Sequence, residues 1–269
     1  MGLPDHEIIV DETGNPHPRE RSLPYFLSGA VGGDIRAIKA LRADFAALRA
    51  SGEILAKKSN KAEPAELDAY AKCLMRHELS LGVAFTYNAD AELLPKLEEK
   101  VSAINSRGAK RRLEAGDELR FLPPGGHTIA PLLWTEVVQS AAMFSAMDLL
   151  LVRKARIVDL VIRIDNKDMK DELRDLTRTF PRAFSARLGR RLQRVVAESG
   201  NIIPWLSMEK IKTKVTFDSG DDVADFFCGI LHREYNTPTP EAKARYEDLM
   251  LHFKTKAVDL TEQLKRPAP

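Results

Sequence analysis

Glu7-Ile8-Ile9-Val10-Asp11-Glu12-Thr13-Gly14-Asn15 is an apolar run that ends on acid and then turns. Far along the chain, Val161-Ile162-Arg163-Ile164-Asp165 ends the same way. A buried strand has no local reason to finish on a carboxylate, because an unpaired buried charge is costly. Two such strands lying side by side, about 4.8 Å apart, would gather their acids and require something positive between them. A divalent metal is the natural partner. Phosphodiester hydrolysis, with an ion clamping each side of an in-line displacement, is the natural chemistry.

Outward from the first run, Glu12 to Leu23 contains Gly14, Pro16 and Pro18 and reads as a loop. Tyr25 to Val31 alternates as a second strand, simplest as an antiparallel partner of the first. Gly32-Gly33 should end it, and Asp34 should cap a helix through Ala50 carrying Ile35, Ile38, Leu41, Phe45 and Leu48 at helical spacing. The glycines match neither the Walker pattern nor the dinucleotide fingerprint, so close packing is the expected use. A short strand is expected at Glu53 to Ala56, a helix at Glu63 to Arg76, and a strand at Leu79 to Tyr87. A helix from Ala89 to Ile104 precedes a basic, Pro-Gly-rich insertion or connector at 106–128. Later come the apolar helix at 129–152, the second acid-tipped strand, and a helix from Met169 to Val196 broken near Pro181. A strand at Lys212 to Phe217 and a helix from Asp221 or Asp222 follow, then a C-terminal helical extension at 238–269. Alternating strands and helices predict an α/β layer fold in one domain.

The composition bounds the class. A net charge of +2 over 269 residues predicts neither nucleic acid nor membrane by itself. Two cysteines, Cys73 and Cys228, without short spacing or a histidine cluster argue against zinc and disulfides and fit a reducing compartment. The N-terminus lacks the basic and apolar segments of a signal peptide. Glu136, Gln139 and Asp148 interrupt the apolar window, which favours a helix in the core or in a homodimer interface over a membrane span. The expectation is a cytoplasmic protein with no membrane partner.

Val10-Asp11-Glu12-Thr13-Gly14-Asn15 followed by Tyr25-Phe26-Leu27-Ser28-Gly29-Ala30-Val31 resembles the opening of a large bacterial family, domain of unknown function 3800. The apolar strand ending in Asp165 and the later Ser219 with Ala224-Asp225-Phe226 are similar to that family's remaining motifs, in the same order across nearly the whole chain. Thr13 stands where serine is usual, and Glu53-Ile54-Leu55-Ala56-Lys57 matches the family's Glu-apolar-Lys element only loosely. The resemblance implies a ribonuclease H-like mixed sheet flanked by helices, with Asp11, Asp165 and Asp225 as an acidic triad holding Mg2+ or Mn2+. It implies a nuclease or phosphodiesterase. The alternative is a non-catalytic module, binding nucleic acid or protein, that keeps the fold.

Each acid also has a plainer reading. Asp11 and Asp165 suit turns beside Gly14 and Asn166. Asp221 and Asp222 suit helix caps. Asp225, a turn further in, is poorly placed to cap, which strengthens its reading as a ligand. Glu12 points to the other side of its strand and ranks as an outer residue, with Asp221 and Glu53. Between Asp175 and Glu198 there is no acid, and Arg187, Arg190, Arg191 and Arg194 share one helical face. That stripe is either a solvated face or a contact for nucleic-acid backbone.

Overall fold

The chain is described by a computed structural model over residues 5–17, 23–115, 129–165, 172–199, 211–218 and 221–266. β1 (His6–Thr13) sits inside a six-stranded mixed sheet. On one side it pairs antiparallel with β2 (Tyr25–Asp34), which pairs antiparallel with β3 (Ser80–Tyr87). On the other side β4 (Asp159–Asp165) runs parallel to β1, and β5 (Lys212–Asp218) parallel to β4. A three-residue strand, β6 (Ala257–Asp259), lies parallel to β3 and closes the order β5-β4-β1-β2-β3-β6. The protein is an α/β fold with helices on both faces of this sheet.

Side-chain alternation divides the core in two. Ile8 and Val10 of β1 join Ile162 and Ile164 of β4 beneath α4 (Ile129–Met147) and α5 (Glu172–Ser199). Ile9 joins Leu27, Val31, Leu81 and Val83 beneath α1 (Ile35–Ala50), α2 (Pro64–Leu74) and α6 (Asp222–Tyr235). Both β1 faces are buried, which explains its run of unbroken apolar residues. α1 begins where the sequence predicts: Asp34 accepts hydrogen bonds from the amides of Arg36 and Ala37.

Several elements differ from expectation. β2 continues through Gly32 and Gly33 to Asp34. A Cβ on Gly32 would stand 2.3 Å from Ser145 Oγ and 2.7 Å from Ser80 Oγ, so the glycine lets α4 seat against the strand. Glu53 to Ala56 forms no strand; Ile54 instead plugs the core just after α1 and bonds back to Leu48. α3 (Leu93–Ala115) extends ten residues into the expected connector, whose residues 116–128 lie outside the described ones. α5 passes Pro181 as one helix.

The segment 240–264 is not one helix. It comprises α7 (Pro240–His252), the edge strand β6 and α8 (Thr261–Lys265). Lys254, at φ 52°, turns the chain out of α7. Ile129–Val152 has the length and apolarity to cross a membrane, which a mostly buried core helix also has. It continues past α4 into a π-helical turn at Asp148–Val152.

Candidate metal centre

The parallel register pairs Val10 with Ile164, so Asp11 and Asp165 are the next residues on adjacent strands. Both follow the alternation of Ile9 and Arg163 and belong to the sheet face covered by α1 and α6. Asp11 is 1% exposed, and one of its carboxylate oxygens accepts the Glu12 amide at 2.7 Å. Ser28 Oγ donates to the Asp11 carbonyl at 2.8 Å and holds the strand end in place.

α6 reaches this face through a glycine. Gly29 is the cross-strand partner of Asp11, and a Cβ there would come within 2.8 Å of the Phe227 ring. The helix runs alongside β1 in the same direction. Its N-cap Asp221 is tied to Arg42, which also donates to both oxygens of Glu7 near the start of β1, at 2.7 and 3.0 Å. Its other end is tied to the end of β1, where His232 Nδ1 lies 3.1 Å from Thr13 Oγ1. With a rise of about 1.5 Å per residue, Asp225 falls roughly 6 Å beyond the N-cap, level with the middle of β1.

Asp225 is 8% exposed and is held by Ser59. The backbone amide of Ser59 donates to it at 2.9 Å and the Ser59 hydroxyl at 3.2 Å. Gly229, one turn on, permits this: a Cβ there would lie 2.5 Å from Ser59 Cβ. Asp11 and Asp165 therefore share one sheet face, while Asp225 stands on the covering helix α6 and faces Ser59. Among the described residues, the three-residue group with donor atoms all within 4.8 Å of one another is Asp44, Cys73 and His77, so the aspartates stand further apart.

A cleft of about 490 Å³ opens beside Asp165, lined also by Arg42, Arg49, Arg163, Asp221 and Asp222. Each of its arginines is engaged by an acid. Arg49 donates to Asp222 at 2.7 Å and lies over the rings of Phe45 and Phe226. Arg163 and Arg42 both pair with Glu7, which is 1% exposed. Burial works against the Arg42 charge, but the Glu7 hydrogen bonds and the Asp221 charge more than offset it and raise its pKa. His232 is pushed the other way: burial, then the charge of Arg233, lowers its pKa.

The remaining expected residues lie elsewhere. Glu12 belongs to the opposite face of β1 and donates its backbone amide to Asp11. Glu53 is exposed just past α1, accepting from Ser51 Oγ at 3.1 Å. The arginine helix α5 packs on the other side of the sheet, through Phe180, Phe184, Leu188 and Leu192. Arg187 is consumed there by Glu136, at 2.6 Å, and Gln139 of α4. Arg191 lies over the Phe144 ring, while Arg190 and Arg194 are exposed. Trp205 and Ser219, and the side chains of Lys110, Arg111 and Arg112, fall outside the described residues.

Glu7, Arg42, Arg49 and Ser59 are the participants that sequence reading missed. Glu7 carried a usable signal, since Glu7, Ile9 and Asp11 alternate onto one face. The others come from distant elements and carry none. No protein-family model matches this chain, and no curated protein matches its sequence.

Proposed function

We propose that this protein is a divalent-metal-dependent phosphodiester hydrolase, a nuclease, on a ribonuclease H-like fold. The observation that carries the reading is the register of β1 and β4, which sets Asp11 beside Asp165 on the face that α6 covers with Asp225. An antiparallel meander of β1, β2 and β3, extended beyond β1 by two parallel strands, is also what a ribonuclease H-like sheet consists of. The same arrangement supports the resemblance to the domain of unknown function 3800 family.

The donor set fits Mg2+ or Mn2+, since carboxylate oxygens are the hard ligands these ions prefer. Asp11, Asp165 and Asp225 would hold them, and bound ions would supply Lewis-acid stabilisation of charge developing on phosphorus oxygens. The protein's own part is electrostatic. Beside Asp165 the cleft carries three arginines against three aspartates, with Glu7 buried beneath. Such a cleft does not attract a polyanion until a cation reverses the sign at the acids. Arg49 and Arg163, each about a third exposed, would then meet the flanking phosphates.

One observation favours the alternative of a non-catalytic binding module: Ser59 engages both oxygens of Asp225. Mn2+ calorimetry on the native chain and on Asp165→Asn, with a parallel screen against DNA, RNA and hybrid substrates, separates the two. The hydrolase reading expects binding and turnover that the substitution abolishes with the fold intact. Nucleic-acid binding with no turnover, indifferent to Asp165→Asn, would establish the module instead.

A further inference from the structure

Between α1 and α2, three side chains of different chemistry converge. Asp44 comes from α1, Cys73 from the last turn of α2, and His77 from just past its end, four residues after the cysteine. Their donor atoms all lie within 4.8 Å of one another. His77 Nε2 stands 3.2 Å from Asp44 Oδ2. Yet among the described residues this nitrogen has no hydrogen-bond partner, although it is shut off from solvent. The carboxylate is near enough for an ion pair but not aligned to accept from the ring. Cys73 is fully buried, whereas Asp44 is half exposed and leaves the cluster open on one side.

We infer that Asp44, Cys73 and His77 form a second metal site, for Zn2+ or a similar borderline-soft divalent ion, with its fourth position open to solvent. The donor set is one thiolate, one imidazole and one carboxylate, which selects zinc over magnesium or calcium. The geometry agrees. With zinc–nitrogen and zinc–oxygen distances of about 2.0–2.1 Å, two ligands at a tetrahedral angle stand about 3.3 Å apart. The observed separation of 3.2 Å is that edge.

The spacing of Cys73 and His77 supplies two ligands from one helix end, and Asp44 ties them to the neighbouring helix. The ion is thus a staple between α1 and α2. Binding expels the thiol proton to solvent, and the resulting thiolate and carboxylate together cancel the two positive charges. Burial, reinforced by the Asp44 charge, pushes the Cys73 thiol up to about 11.

The test is a titration of the full chain with Co2+ alone, read by absorption, then with Zn2+ as competitor. The expected result is a thiolate-to-cobalt charge-transfer band reaching one equivalent, quenched by zinc. Cys73→Ser removes the band and Cys228→Ser keeps it. Asp44→Asn, at a half-exposed position that leaves the helix intact, weakens cobalt binding at least tenfold and removes the rise in unfolding temperature that zinc gives the native chain. Asp165→Asn leaves all of this unchanged, so the site stands or falls independently of the acidic centre. No charge-transfer band in the native chain, a band that survives Cys73→Ser, or undiminished binding by Asp44→Asn would each overturn the assignment.

Discussion

Glu7 shows what a single buried charge demands of its surroundings. It is 1% exposed on β1, and the fold brings Arg42 from α1 and Arg163 from β4 to meet it. Removing one partner of a buried pair costs about 3–5 kcal/mol, but both arginines here are a third exposed and are partly stabilised by water. Glu7→Gln is therefore expected to lower stability by about 1–3 kcal/mol in urea denaturation. An unchanged midpoint would mean that solvent already carries both guanidinium charges. His232 gives the pH dependence at this scale. Its pKa lies below the ordinary 6.5, so below that pH the unfolded chain binds the proton more readily than the folded one. Its contribution to stability is whole above pH 6.5 and is lost as pH falls through the depressed value. The slope of stability between pH 7 and 5 should accordingly flatten in His232→Gln.

Helices and strands were legible in proportion to how much local pattern each carries. β1 has an unbroken apolar run, β2 alternation, and α1 helical spacing with a cap, and each begins where those signals point. β6 has three residues, too few for any period, and exists only because β3 offers it an edge. Pro181 misled in the other direction. A proline inside a helix costs about 3 kcal/mol, but burying each of Phe180, Phe184, Leu188 and Leu192 returns about 1.5–3 kcal/mol, so packing wins over propensity. Phe184→Ala should therefore destabilise by about 3–5 kcal/mol, which thermal unfolding would register. Gly82 marks a close approach of two elements: a Cβ would sit 2.0 Å from the Ala141 carbonyl of α4. That neighbour is backbone and cannot swing away. Gly82→Ala is expected to cost about 2–3 kcal/mol by urea denaturation, and a loss under about 0.5 kcal/mol would mean that α4 slides freely on the sheet.

At the scale of the molecule, the two features that the sequence offers a polyanion lie on opposite sides of the sheet. Asp11, Asp165 and Asp225 belong to the α1 and α6 face, and the arginine stripe belongs to the α4 and α5 face. Sequence could find both but not their relation, because the side a crossover helix takes is set by topology rather than by its own residues. α5 also leads back from the acid-bearing end of β4 toward the start of β5, so its later arginines recede from the acids along the strands. About 22 residues of helix separate its first residue from Arg194, roughly 33 Å, longer than β4 itself. A phosphodiester seated at the acids thus meets Arg49 and Arg163 before it can meet Arg190 or Arg194. On the proposed hydrolase reading, the triple variant Arg190→Gln, Arg191→Gln, Arg194→Gln should leave metal-dependent cleavage of a short oligonucleotide within about twofold of native. Binding of a long duplex would lose salt dependence, by about one unit of logarithmic slope for each phosphate contact removed. Arg49→Gln should do the reverse, reducing cleavage of the short substrate about tenfold or more by removing a charged phosphate contact of about 1.5–3 kcal/mol. Loss of short-substrate cleavage in the triple variant, with Arg49→Gln unaffected, would place the substrate on the other face of the sheet and detach the acids from the chemistry.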